Sequence, residues 1–78
     1  MPYTQDIVEE LNVLVRYNLS TTLEGLKVHK SASPDIISAT KRLHDKGLVT
    51  QEDGGYLTHL GIEAAERAQA ILDLLKPA

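Results

Sequence analysis

Apolar positions early in the chain recur at helical spacing. Ile7, Val8, Leu11, Leu14 and Val15 make one broad stripe, which predicts a first helix over residues 4–18. Thr4 suits its cap, and Asp6, Glu9 and Glu10 suit the positive end of its dipole. Leu19 and Ser20 break the pattern. Thr21 followed by Glu24 has capping-box spacing, so a short second helix is expected from Thr22 to about His29, burying Leu23 and Leu26. Gly25 opposes it by about 1 kcal/mol relative to Ala.

The third helix, residues 34–46, carries the clearest signals. Ser33 is a good N-cap, Pro34 fits the first turn, and Asp35 favours the dipole. Ile36, Ala39, Thr40 and Leu43 fall on one face, and Gly47 follows the last turn, where a left-handed residue commonly ends a helix. Two short β-prone runs, Leu48–Gln51 and Tyr56–Thr58, then flank Glu52-Asp53-Gly54-Gly55, the signature of a hairpin. Thr58 caps a fourth helix from His59 to about Leu75, stopped by Pro77. Leu60, Ala64, Ala68, Ile71, Leu72 and Leu75 form its stripe, and Glu63 and Arg67 can pair at i, i+4.

With 78 residues and no internal repeat, the chain is expected to be one domain, residues 1–78, mainly α with a small β-hairpin. It has no Cys, which excludes disulfides and thiolate chemistry. His29, His44 and His59 lack metal-ligand spacing, and no catalytic Ser/His/Asp set, carboxylate pair or phosphate-binding Gly loop stands out. No enzyme, cofactor or metal is therefore expected. The longest apolar run, Val13-Leu14-Val15, is far below the ~18 residues of a membrane span. No basic stretch leads into an apolar one after Met1, so a cytoplasmic protein is expected.

Net charge is −3, but the charge is unevenly spread. Residues 27–46 hold Lys27, Lys30, Lys41, Arg42 and Lys46 against Asp35 and Asp45, while the rest of the chain is strongly acidic. A basic segment in an acidic chain points to an anionic ligand.

Three helices followed by a two-stranded wing and a last helix is the layout of a winged helix-turn-helix. The residues Leu43, Lys46-Gly47-Leu48-Val49, the Asp53-Gly54-Gly55 turn, Leu57-Thr58 and Gly61 resemble the multiple-antibiotic-resistance (MarR) type of winged-helix regulator. The chain also resembles small single-domain bacterial winged-helix proteins of unassigned role. In the family the corresponding residues read as a recognition helix, a wing and a Leu-Thr-x-x-Gly entry into a dimerising helix. Here the wing tip, Gln51-Glu52-Asp53, is acidic where the family commonly carries Arg or Lys. Gly61 is expected to let the last helix approach another backbone closely.

The resemblance implies a small transcriptional regulator that lays its third helix in the major groove of double-stranded DNA. Ser38 and Lys41 are best placed for base edges and phosphates, with Arg42 beside them on the polar face. Lys27 and Lys30, expected at the end of the second helix and in the turn after it, would cross the phosphate backbone. The opposing structural reading makes Lys41, Arg42 and Lys46 complements to the helix dipole and Ser33 only a cap. A second function class stays open: a winged-helix protein-interaction module without DNA binding, which the acidic wing favours. Large aliphatics on the first and fourth helices exceed what one small subunit can cover, so a homodimer through those helices is expected.

Overall fold

Each helix starts at a hydroxyl cap. In the computed structural model, which describes residues 2–21 and 24–77, Thr4 Oγ1 accepts from the Ile7 amide at 3.2 Å and opens α1 (Gln5–Leu14). Ser33 Oγ accepts from the Ile36 amide at 3.4 Å and opens α2 (Pro34–Asp45), with Pro34 in its first turn. Thr58 Oγ1 accepts from the Gly61 amide at 3.0 Å and opens α3 (His59–Leu75). Each bond satisfies an amide that the helix leaves without an internal acceptor.

Between the helices lies a three-stranded antiparallel sheet of β1 (Leu26–Lys27), β2 (Val49–Gln51) and β3 (Gly54–Leu57), in the order β1-β3-β2. The expected hairpin is present as β2 and β3, joined by Glu52-Asp53. Its register shifts between Val49 and Gln51, and the Thr50 hydroxyl accepts from the Tyr56 amide at 3.0 Å across the irregularity.

Two expected elements differ. The first helix ends at Leu14 rather than residue 18, because Arg16 and Tyr17 donate three residues back, to Val13 and Leu14, and tighten the last turn. Asn18 Oδ1 then accepts from both the amide and the hydroxyl of Ser20, which turns the chain away.

The second helix is the larger correction. Thr22 and Leu23 lie outside the described residues, and from Glu24 to His29 the chain is not helical. Leu26 pairs with Gly55 and Lys27 with Gly54 on β3 instead. Glu24 accepts from the Asn18 amide group at 3.2 Å. The sheet edge supplies backbone partners that a short, Gly-containing helix would have to find within itself. Gly54 makes the pairing possible: its φ is +119°, and a Cβ there would stand 2.4 Å from the Leu26 carbonyl oxygen. The order is thus α1-β1-α2-β2-β3-α3, and among the described residues no helix directly precedes α2 in the manner of a helix-turn-helix.

The core gathers Val13, Leu14 and Tyr17 from α1 and its final turn, Ala39, Thr40 and Leu43 from α2, Val49 from β2 and Ala65 from α3. Ile36, Leu48 and Leu57 pack against it. The expected inner face of α2 is therefore the observed one. Thr40 is buried without penalty, since its hydroxyl donates to the Ile36 carbonyl at 2.8 Å.

Gly47, at φ +78°, ends α2 as expected. Thr58 then locks the return: its amide donates to the Leu48 carbonyl and its hydroxyl to the Gly47 carbonyl, at 3.1 and 2.6 Å. Among the described residues no helix is long and apolar enough to cross a membrane.

Candidate nucleic-acid interface

Helical geometry divides the cations of α2 between two sides. Ile36, Ala39, Thr40 and Leu43 face inward, which turns Ser38 and Lys41, three residues apart, outward into solvent. Arg42 and Lys46 fall on the flank that meets α1. Ile37 lies on the opposite flank and joins Lys41 beside the hairpin.

On the α1 side, Arg42 Nε donates to Glu10 Oε2 at 2.8 Å, and Arg42 Nη2 reaches the Asp6 carbonyl oxygen at 3.3 Å. The carboxylates of Asp6 and Glu9 stand 3.8 Å from the same guanidinium. Lys46 donates its ammonium to the other oxygen of Glu10. Glu10 is itself only 6% exposed. Burial alone would raise its pKa, but the hydrogen bonds and charges of Lys46 and Arg42 hold it below the ordinary carboxylate value of 4.5. Glu10 in turn raises the pKa of Arg42. Arg42, expected beside Lys41 on the polar face, thus turns to α1 and ties the two helices together.

On the other side Lys30 and Lys41 come together. Lys30 and Lys41, with Val28, His29 and Ile37, line a hollow of about 420 Å³ between the end of β1 and α2. Lys27 and Lys30 line the hollow next to it with Ser31. Lys27 lies on β1 rather than at the end of a helix, Lys30 lies in the turn before α2 as expected, and both are exposed. Lys27, Lys30 and Lys41 make no ion pair within 4 Å among the described residues. Ser33 is used as a cap.

The hairpin tip completes this face. The Val28 amide donates to the Asp53 carbonyl at 2.8 Å, and this bond pins Glu52 and Asp53 into the wall of the hollow that holds Lys30 and Lys41. Nothing in the local sequence signals that proximity, because residues 28 and 53 meet only through the β1–β3 pairing. Glu10 was equally illegible as the partner of Arg42, 32 residues away. What the region offers chemically is three exposed ammonium groups, a serine hydroxyl and a small apolar surface at Ile37, with two carboxylates at the rim. Among the described residues no group of three or more metal-type side chains is gathered.

A family model described as a family of unknown function, DUF5669, matches residues 1–76. The chain belongs to that family. The match takes in α1, the sheet and all of α3, so the DUF5669 unit contains both the lysine face and the α1–α2 clamp. No curated protein and no solved structure matches the chain.

Proposed function

We propose that the protein binds double-stranded DNA as a small transcriptional regulator, with α2 entering the major groove. In this reading Ser38 and Lys41 face base edges and phosphates, and Lys27 and Lys30 hold the phosphate backbone. Arg42 has a different part, holding α2 against α1. The winged-helix reading belongs to the same proposal and is supported by α2 running through Gly47 straight into the antiparallel β2–β3 pair.

One observation carries the reading: Lys30 and Lys41 meet beside α2, with Lys27 in the adjoining hollow, and none of the three has an ion pair among the described residues, while Arg42 and Lys46 are held by Glu10. Several exposed cations with no ion pair among the described residues suit a polyanion such as nucleic acid. The test is a titration with mixed genomic duplex fragments across salt. Three phosphate-contacting lysines give a log–log slope of about −2.7 per protomer, from ~0.9 per phosphate. Absence of binding at ~50 mM salt, where phosphate contacts are strongest, overturns the proposal.

A second reading is favoured by Glu52 and Asp53, which line the same hollow as Lys30 and Lys41. A surface with both signs suits a protein partner, and phosphates would be repelled at its rim. This reading expects no DNA binding at low salt and a protein partner that is lost on Lys41→Glu.

A further inference from the structure

α2 carries three large aliphatic side chains, Ile36, Ile37 and Leu43, and the core uses two of them. Leu43 is buried and Ile36 packs against the core, whereas Ile37 is left exposed. Ile37 stands one turn before Lys41 and lines the same hollow, together with Val28 from the segment after β1. It is the fourth residue of α2 and Ser38 is the fifth. Both therefore sit in the N-terminal half of the helix, from which a helix lying in the major groove reaches base edges.

We infer that Ile37 is a specificity-determining residue that lays its side chain against the C5-methyl group of a thymine. The inference rests on the DNA-binding reading above and adds what lysines on phosphates do not supply, a preference for one base. Thymine is the base that presents a methyl group in the major groove. An aliphatic side chain gains from that methyl and gains nothing from a phosphate or an amine. The charges around Ile37 favour the same choice. Glu52 and Asp53 line the hollow with Lys30 and Lys41 and offset them there, so a phosphate gains little beside Ile37. An uncharged base edge meets no such opposition. Ile37 is also β-branched, and in a helix such a side chain holds nearly one rotamer, so ordering it against a base costs little. Ser38 and Lys41 keep their parts, bonding polar groups and phosphates beside the thymine.

The test starts with duplexes selected by the full chain from a random library at ~50 mM salt, where phosphate contacts are strong. The recovered duplexes are expected to share a thymine. Replacing that thymine by deoxyuridine removes its methyl group alone. The change should weaken binding of the parent about 4-fold, the equivalent of one buried methyl-sized group. Ile37→Ala should bind the thymine and deoxyuridine duplexes equally and keep the salt slope of the parent, because it removes no phosphate contact. Ile37 lies outside the core, so Ile37→Ala should keep its fold, and the comparison of the two duplexes on the parent needs no variant at all. Three results overturn the inference while DNA binding stands: no shared thymine, equal affinity of the parent for both duplexes, or undiminished discrimination in Ile37→Ala. Binding to no duplex at ~50 mM salt overturns the DNA reading and this inference together.

Discussion

Arg42 and Glu10 are joined by a 2.8 Å hydrogen bond across 32 residues, and with Lys46 they fasten α2 to α1. Glu10→Ala removes the shared acceptor and should cost about 1.5–3 kcal/mol, the range for hydrogen bonds to charged groups. Both cations keep part of their side chains in water, so the loss stays below the ~3–5 kcal/mol of a fully buried pair. The pH dependence has a definite sign. A carboxyl whose folded pKa is depressed contributes stability above its unfolded value of 4.5, and that stability is lost as pH falls through the folded pKa. Urea melts of the parent at neutral and acidic pH should show this loss, and Glu10→Gln should flatten it. An acid limb of the same slope in Glu10→Gln would remove Glu10 from the account.

Lys41 and Arg42 are neighbours in sequence with opposite expected effects. Lys41→Ala should leave the melting midpoint within ~0.5 kcal/mol of the parent, as for most exposed positions, and weaken DNA binding. Its salt slope should be shallower by about 0.9, one phosphate contact. Arg42→Ala should lower the melting midpoint and leave the slope unchanged while the protein is folded. Replacing Glu52 and Asp53 by Lys should tighten binding and steepen the slope, because it turns a repulsive rim into phosphate contacts. Anisotropy titrations at three salt concentrations separate these outcomes. Equal slopes for Lys41→Ala and the parent would place the DNA contact elsewhere.

Gly61 lies against the backbone of the α2–β2 turn. A Cβ on Gly61 would stand 1.9 Å from the Leu48 carbonyl oxygen and 3.2 Å from a methyl of Leu57. The Leu48 oxygen is committed to the Thr58 amide and cannot move freely. Gly61→Ala gains about 1 kcal/mol of helix propensity, yet forces α3 away from the sheet. The clash should win, with a net loss of at least ~2 kcal/mol, in the range of overpacked cores. A thermal melt with an unchanged or raised midpoint would show that α3 does not approach Leu48 this closely.

Tyr17 runs through the core to the hairpin, where its hydroxyl comes near Gly54 and finds no hydrogen-bond partner among the described residues. Burial, and then the charge of Asp53, push its pKa up to about 12. The folded chain therefore keeps this proton after the unfolded chain has released it near 10.0, so stability should fall between the two values as pH rises. Tyrosinate absorbance should show a phase near 12 that disappears in Tyr17→Phe. At neutral pH Tyr17→Phe should be neutral or stabilising by up to about 1 kcal/mol, since it deletes a buried polar group that makes no bond. A loss larger than that would reveal a hydrogen bond to the hydroxyl.

Local signals were enough to locate the three capped helix starts at Thr4, Ser33 and Thr58, the inner face of α2, the hairpin and the Gly47 stop. Each of these depends on residues within about one helical turn or one tight turn of each other, so composition and spacing determine them. The same reasoning foresaw the close approach at Gly61 without naming Leu48 as the neighbour. Tertiary structure decided the rest. Residues 24–29 carried helix signals and yielded to a strand because Gly54 and Gly55 offered an edge to pair with. Arg42 left the outer face because Glu10, 32 residues away, supplied a nearly buried carboxylate. The stripe of α3 turned partly from the core because Gly61 and Ala65 are small enough to seat the helix closely, and its leucines were left outside. In each case a partner distant in sequence outweighed a local preference of about 1 kcal/mol, and no reading of neighbouring residues contains that partner.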